Sequence, residues 1–199
     1  MKITFIVSQH NRISGGNRAL FEYANRLQEM GNEVNIYVLA KPARWYRMDH
    51  WKRIINKTVI EVAPESIDWL ENKIPINVLS YNDESLIPDS DILLATAWQT
   101  ADFANRFSSR KGSRFYFVQH HESLWTRDKN KAQKTYDMPF KKLVISTWLK
   151  EVLQKKYHQE AEVLITPVND QSFFQEDKKQ GSASRVCILH HDYDWKGYK

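Results

Sequence analysis

The first forty residues most constrain the fold, because they combine a buried strand, a glycine turn, an amphipathic helix and a second strand. Residues 2–8 form a short apolar run ended by polar residues, which is typical of a parallel strand covered on both faces. After Gly15 and Gly16, apolar residues recur at helical spacing, and Gly31 stands where a helix would end. The apolar positions are Ala19, Leu20, Tyr23, Ala24, Leu27 and Met30. With a second strand at 33–39, the pattern predicts a right-handed strand–helix–strand crossover.

Strands and helices alternate along the rest of the chain, which predicts an α/β, Rossmann-like, doubly wound and mainly parallel sheet. Apolar runs predict strands at residues 2–8, 33–39, 58–62, 76–79, 91–95, 114–119, 142–146 and 162–165. Residues 170–184 are polar and typical of a linker. We therefore expect one domain over 1–169 and the truncated start of a second at 185–199.

Composition narrows the class of protein. The 199 residues are 42% hydrophobic, which suffices for one sizeable core. One cysteine, Cys187, excludes an intramolecular disulfide framework and fits a reducing compartment. No apolar run approaches the ~18 residues that a membrane-spanning helix needs. These features predict a cytoplasmic protein.

The glycine turn matches neither the G-x-G-x-x-G dinucleotide fingerprint nor the G-x-x-x-x-G-K-[ST] triphosphate loop. Gly15 and Gly16 let backbone amides approach an anionic ligand, or they form only a helix-entry turn. Asn17 and Arg18 lie on the first helical turn. There the arginine either pairs with a phosphate or lies in solvent.

A polar turn follows the strongly apolar strand at 114–119. Its residues His120, His121 and Glu122 are expected at the carboxyl edge of the sheet, where ligands of such folds bind. A histidine there hydrogen-bonds a ligand hydroxyl and stabilises charge, or the two are ordinary surface histidines. At Ser146-Thr147, a hydroxyl is expected to cap the following helix.

Five segments in the same order resemble the retaining glycosyltransferases of family 4, which have the GT-B fold. The first, at residues 3–34, is an apolar strand, a polar loop, G-G-x-R and a helix ending in G-x-E-V. The others are Phe115–Glu122, Val144–Lys150, Leu164–Asp170 followed by Phe173 or Phe174, and Val186–Gly197. No single motif is specific, and the usual Asn-Gly of the fourth is not intact. Their common order is what indicates the resemblance, which spans nearly the whole chain.

The resemblance implies the N-terminal part of an enzyme that moves a sugar from a nucleotide-sugar donor to an acceptor hydroxyl, with retention. The acceptor is expected to be a glycan, a wall polymer or a lipid-linked sugar, and the nucleotide-sugar is a co-substrate, with no cofactor. In the family the second domain chiefly holds the donor, so we expect this chain alone to be inactive. The implied catalytic residues are His120, His121 and Glu122. The implied donor- or acceptor-binding residues are Gly15, Gly16, Asn17, Arg18 and Lys196.

The second-domain segment departs from the family pattern. Lys196 matches the lysine that grips the donor diphosphate as a point charge, but the arginine that usually precedes it is replaced by His191 or lost. Residues 190–194 also have the side chains of a zinc or manganese site. Because adjacent residues at a strand end diverge, we expect no metal there.

The excess of basic over acidic residues allows more than one interpretation of what the protein binds. Residues 41–53 mix cations with aromatic residues, which suits peripheral contact with an anionic membrane at its inner face. The alternative is a solvated helix face whose tryptophans pack inward. The net charge of +5 comes without a nucleic-acid-binding motif, so no nucleic acid is expected. The main rival to an enzyme is a stand-alone, non-catalytic α/β binding domain.

Overall fold

The computed structural model describes residues 1–40, 48–124, 126–168 and 174. The chain divides into two units, Met1–Thr166 and Pro167–Lys199, and every helix and strand given below belongs to the first. The predicted linker at 170–184 and the predicted second domain at 185–199 lie outside the described residues, except for Phe174. Their boundaries therefore stay predictions.

Eight strands in the described part of the chain form one sheet. They are β1 (Lys2–Val7), β2 (Glu33–Val38), β3 (Val59–Val62), β4 (Ile76–Leu79), β5 (Ile92–Ala95), β6 (Ser113–Val118), β7 (Lys141–Val144) and β8 (Glu162–Val163). Each lies where the sequence predicts a strand, with ends that differ by no more than two residues. Short apolar runs between polar turns were therefore a sufficient signal for every strand of the sheet.

The strand order across the sheet is β3-β4-β2-β1-β5-β6-β7-β8. Strand β3 pairs antiparallel with β4, and the other neighbours pair in parallel. The prediction of a mainly parallel α/β sheet is confirmed. Because the parallel strands all end at one edge, which we call the carboxyl edge, the connections that follow them meet there.

Helices connect the strands. They are α1 (Gly15–Glu29), α2 (Met48–Ile55), α3 (Trp98–Ala104), α4 (Lys129–Tyr136) and α5 (Thr147–Tyr157). The predicted capping role of Ser146 is confirmed, since its side chain accepts the backbone N–H of Leu149 at the start of α5.

Helix α1 follows the prediction at both ends. Ser14 caps the first turn, and Gly31 adopts a φ of 84° just beyond the last. Met30, the last apolar residue at helical spacing, lies beyond the end of the helix at Glu29 and is 77% exposed. A polar residue, Asn25, is buried instead and donates to the carbonyl of Glu71.

Two apolar cores flank the sheet, since successive strand side chains point to opposite faces. Along β6, Tyr116 belongs to one core and Phe117 to the other. Along β1, Ile6 lies in the first core while Phe5 and Val7 lie in the second. The central strands are thus covered on both faces, as a doubly wound sheet requires.

Candidate functional site

The start of α1 lies at the carboxyl edge, directly after the loop that leaves β1. The Ser14 Oγ accepts the backbone N–H of Asn17 at 3.2 Å. Helix geometry gives the N–H groups of Gly15 and Gly16 no partner within the helix. The two predicted glycines therefore present backbone donors at the edge where parallel sheets bind ligands.

The two glycines differ in what surrounds them. A Cβ added to Gly16 would lie 2.8 Å from Oε1 of Gln119, which follows β6, whereas a Cβ added to Gly15 would meet no atom within 4 Å. Gly16 thus allows the amide of Gln119 to approach the helix start. The sequence suggested the glycine pair but gave no signal for Gln119, because its approach depends on strand order.

Asn17 and Arg18 both have protein partners. The Asn17 Nδ2 donates to the carbonyl of Arg12 at 2.8 Å, which closes the loop before α1. The Arg18 Nε lies 2.8 Å from Oε1 of Glu22, one turn further along the helix. An anionic ligand would therefore compete with Glu22 for this guanidinium. The predicted binding roles of both residues stay predictions.

Glu122 joins three elements at the carboxyl edge, two through its buried carboxylate and one through its backbone N–H. Its Oε2 accepts the backbone N–H of Trp98, the first residue of α3, at 2.7 Å. Its Oε1 accepts the hydroxyl of Tyr116, from β6, at 2.5 Å. The hydroxyl of Tyr136, at the end of α4, accepts the Glu122 backbone N–H at 2.9 Å. Both carboxylate oxygens are thus engaged by the protein, which is the arrangement of a positioning group. The predicted catalytic role of Glu122 stays untested.

Burial controls the charge of this carboxyl. Glu122 is 4% exposed, and desolvation raises its pKa to about 7, although hydrogen bonds from Tyr116 and Trp98 act to lower it. Burial, followed by the nearby carboxylate, also raises the pKa of Tyr116 well above its ordinary value. Near neutral pH Tyr116 therefore stays protonated. Its hydroxyl donates a hydrogen bond to the Glu122 carboxyl, which is only partly ionised.

The two predicted histidines occupy different environments. His121 is 5% exposed, and its Nε2 lies 2.9 Å from the hydroxyl of Tyr157 and 3.1 Å from Oγ of Ser123. Burial lowers the pKa of His121, and Lys156 lowers it further, so the ring is neutral near pH 7. His120 is the exposed member of the pair. The sequence placed both histidines correctly at the carboxyl edge. It did not show which of them is buried, because the residues that act on His121, Tyr157 and Lys156, lie at the far end of α5.

The remaining predicted site residues lie outside the part of the chain that the structure describes. They are Lys196 and the candidate metal segment at 190–194. Within the ranges that the structure describes, no group of three or more His, Cys, Asp or Glu side chains is placed to hold a metal ion. In the same ranges, no helix has the length and apolar character that crossing a membrane requires.

Comparison with known proteins supports the fold. The sequence matches no protein-family profile and no curated protein. The structure is similar to the catalytic domain of starch synthase IV from Arabidopsis thaliana, bound to ADP and acarbose, with a TM-score of 0.50 and 11% sequence identity. The match covers 86% of this chain and 52% of that one, so the chain spans about half the length of its structural neighbour.

At that identity the likeness defines the fold alone. The chain has an α/β, Rossmann-like architecture with a mainly parallel sheet, similar in fold to part of that catalytic domain, which confirms the expected fold class. Membership of family 4 stays a prediction.

Proposed function

We propose that the chain is the acceptor-side part of a retaining glycosyltransferase, which moves a sugar from a nucleotide-sugar donor to an acceptor hydroxyl. The observation that carries the proposal is the likeness to a starch synthase catalytic domain bound to ADP and acarbose. ADP is a nucleoside diphosphate, the group that a nucleotide-sugar donor releases. The five sequence segments that resemble family 4, in the same order along the chain, support the same class of enzyme independently.

In this proposal the start of α1 faces the reacting groups. The N–H groups of Gly15 and Gly16 donate to the donor diphosphate or to an acceptor hydroxyl. Gly16 brings Gln119 next to that turn, so its amide offers a further donor and acceptor pair. Asn17 fixes the loop that shapes the turn, and Arg18 exchanges Glu22 for phosphate when the ligand is bound.

The histidine turn supplies the second half of the site. His121 is neutral and held by Tyr157 and Ser123, so it orients the turn that carries the exposed His120. His120 then hydrogen-bonds a sugar hydroxyl or stabilises charge near the reacting carbon. Glu122 acts by fixing the backbone of Trp98 and the turn itself.

Sugar transfer in such a site relies on positioning and charge stabilisation. The bond from the anomeric carbon to the nucleoside diphosphate breaks while the acceptor oxygen bonds that carbon from the same face, and an oxygen of the leaving diphosphate takes the hydroxyl proton. No cofactor takes part, and Lys196 pairs with the diphosphate. The acceptor is a glycan, a wall polymer or a lipid-linked sugar.

One observation favours the second candidate, a non-catalytic α/β binding domain. The polar groups expected to act on a ligand already have protein partners: Arg18 pairs with Glu22, and both oxygens of Glu122 are engaged. A domain that only binds would need no spare acid or base at this edge.

A titration followed by amide NMR separates the two candidates. We would add ADP, GDP and UDP, their glucose conjugates and short oligosaccharides to the labelled 199-residue chain. The enzyme proposal expects shifts at Gly15 to Arg18 and at Gln119 to His121 with a nucleotide, its sugar conjugate or an oligosaccharide acceptor, and none at Gly31 at the other end of α1. Gly16→Leu should weaken this binding, while Met30→Gln, an exposed change on the same helix, should not.

Oligosaccharide shifts at the carboxyl edge would support the acceptor-side role, whereas binding of these ligands only away from that edge would favour the binding domain. The proposal fails if none of the nucleotides, nucleotide-sugars or oligosaccharides shifts the carboxyl edge.

A further inference from the structure

Helix α2 exposes its large apolar side chains to solvent. Met48 is 75% exposed, Trp51 57% and Ile55 77%. Their spacing of three and seven residues places all three on one face of the helix. Surface helices normally turn such a face toward the core, so an outward apolar face marks a surface that another phase or molecule covers. The alternative that the tryptophans of this segment pack inward is wrong for Trp51.

The segment around α2 also holds the charge imbalance of the whole chain. Residues 41–57 contain six of the 29 lysines and arginines but only one of the 24 acidic residues. The rest of the sequence is balanced, with 23 residues of each sign. The net charge of +5 therefore resides in one short stretch, together with three aromatic residues, Trp45, Tyr46 and Trp51.

The inner side of α2 and the chain after it are tied to the domain. Ile54 and Arg53 are half-buried. Beyond the helix, the ammonium of Lys57 pairs with Asp83, and the backbone N–H of Thr58 donates to Ser80 Oγ at 2.8 Å. The exposed face is thus presented by an anchored helix.

We propose that α2 docks this protein on an anionic lipid surface, with Met48, Trp51 and Ile55 inserted at the headgroup boundary. The charge of this segment and the apolar face of α2 together favour a lipid surface over the other candidates. A second copy of the chain would cover the apolar face but bring two strongly cationic segments into contact. A nucleic acid would neutralise the cations but leave the three apolar side chains in water. An anionic bilayer satisfies both, because its headgroups attract the cations while its acyl boundary takes the apolar face.

The docking is peripheral and reversible. An eight-residue helix with one exposed tryptophan buries little apolar area, so the attraction of lysine and arginine to the headgroups contributes much of the affinity. Binding therefore weakens as salt is added, since salt screens exposed charges. The proposal does not depend on sugar transfer.

Vesicle sedimentation with the full 199-residue chain tests it. We expect the protein to bind vesicles of phosphatidylcholine mixed with phosphatidylglycerol, and to stay in solution with phosphatidylcholine alone or at high salt. Trp51→Ser should weaken binding about tenfold through lost apolar burial. Lys52→Glu should weaken it about tenfold through lost attraction to the headgroups.

Matched substitutions elsewhere control for non-specific effects. Met30→Gln removes an equally exposed apolar side chain from the end of α1, and Lys134→Glu reverses an exposed charge on α4. Both should bind as the unchanged chain does, and circular dichroism should show that all four variants are folded. Because the four positions are exposed, none of these changes touches the core.

Three outcomes would overturn the proposal. The first is that the unchanged chain fails to bind anionic vesicles at low salt. The second is that the two α2 variants bind as well as the two controls. In the third, Trp51→Ser abolishes self-association in ultracentrifugation while vesicle binding is absent, which would assign the face to a second copy.

Discussion

The carboxylate of Glu122 accepts the backbone N–H of Trp98 at 2.7 Å, across 24 residues of sequence. Trp98 begins α3, and the residue before it, Ala97, has no side-chain oxygen to cap the helix. Glu122 supplies that acceptor from the neighbouring connection, and so ties the chain after β5 to the chain after β6. A change at Glu122 is therefore expected to alter both of these connections at the carboxyl edge.

Removing this carboxylate should destabilise the protein. Glu122→Ala leaves the partly buried Trp98 N–H without its acceptor and takes the acceptor from the Tyr116 hydroxyl, so the free energy of unfolding should fall by about 2 kcal/mol. Glu122→Gln keeps an oxygen of similar reach and should lose less. Urea denaturation followed by circular dichroism gives both values. Equal losses in the two variants would show that these hydrogen bonds do not stabilise the fold.

The raised pKa of Glu122 predicts a specific pH dependence of stability. The folded state holds this proton up to about pH 7, whereas the unfolded chain releases it near its ordinary pKa of 4.5. The contribution is therefore full below about pH 4.5 and is lost as the pH rises through 7, amounting to about 3 kcal/mol. Glu122→Gln lacks this titration. The difference in unfolding free energy between the unchanged chain and this variant should thus shift in favour of the variant between about pH 4.5 and about pH 8. A constant difference would contradict the raised pKa.

The two glycines before α1 should respond differently to alanine. Gly15→Ala meets no atom within 4 Å and should raise the unfolding free energy by about 0.5 kcal/mol, because alanine restricts the unfolded chain. Gly16→Ala places its Cβ against the amide of Gln119 and should gain less or lose stability. Thermal denaturation ranks the two variants. A Gly16→Ala variant as stable as Gly15→Ala would mean that the Gln119 contact is not maintained.

Two glycines with positive φ offer a second matched pair. Gly112 has a φ of 97°, and an added Cβ would lie 2.5 Å from the carbonyl carbon of Asp91, so Gly112→Ala should cost about 3 kcal/mol. Gly31 has a φ of 84° but open surroundings, so Gly31→Ala should cost only about 1 kcal/mol. Chemical denaturation of both variants measures the difference. Similar losses would show that the crowding at Asp91 relaxes easily.

The sequence predicted the strands well because each is a short apolar run between polar turns. It did not predict that β3 runs antiparallel, since an apolar run carries no direction. It did not show that Met30 is exposed, because its helical spacing continues one residue past Glu29, where the helix ends. The burial of Asn25 was missed for the opposite reason. Its side chain bonds the backbone of residues 71 and 73, which lie far along the chain.

The candidate site was predicted in its location rather than in its contacts. The rule that ligands bind at the carboxyl ends of parallel strands placed Gly16 and His121 correctly at that edge. The partners of these residues, Gln119 and Tyr157, could not be found from spacing, because strand order and helix docking bring them there. Whether any of these residues acts on a substrate depends on ligand chemistry, which no pattern within the chain defines.

Strand β1 joins the two halves of the sheet in the described part of the chain, because Ile3 pairs with Val34 on one side and with Ile92 on the other. On one side, then, the first forty residues can assemble as soon as they leave the ribosome. The other side must wait for β5, whose pairing with β1 closes a long loop at a cost in entropy. After it, β6, β7 and β8 emerge in the order in which they add to the sheet. As the chain is synthesised, the β5–β8 side of the sheet therefore grows one strand at a time, and each new strand pairs with an edge strand that has already formed.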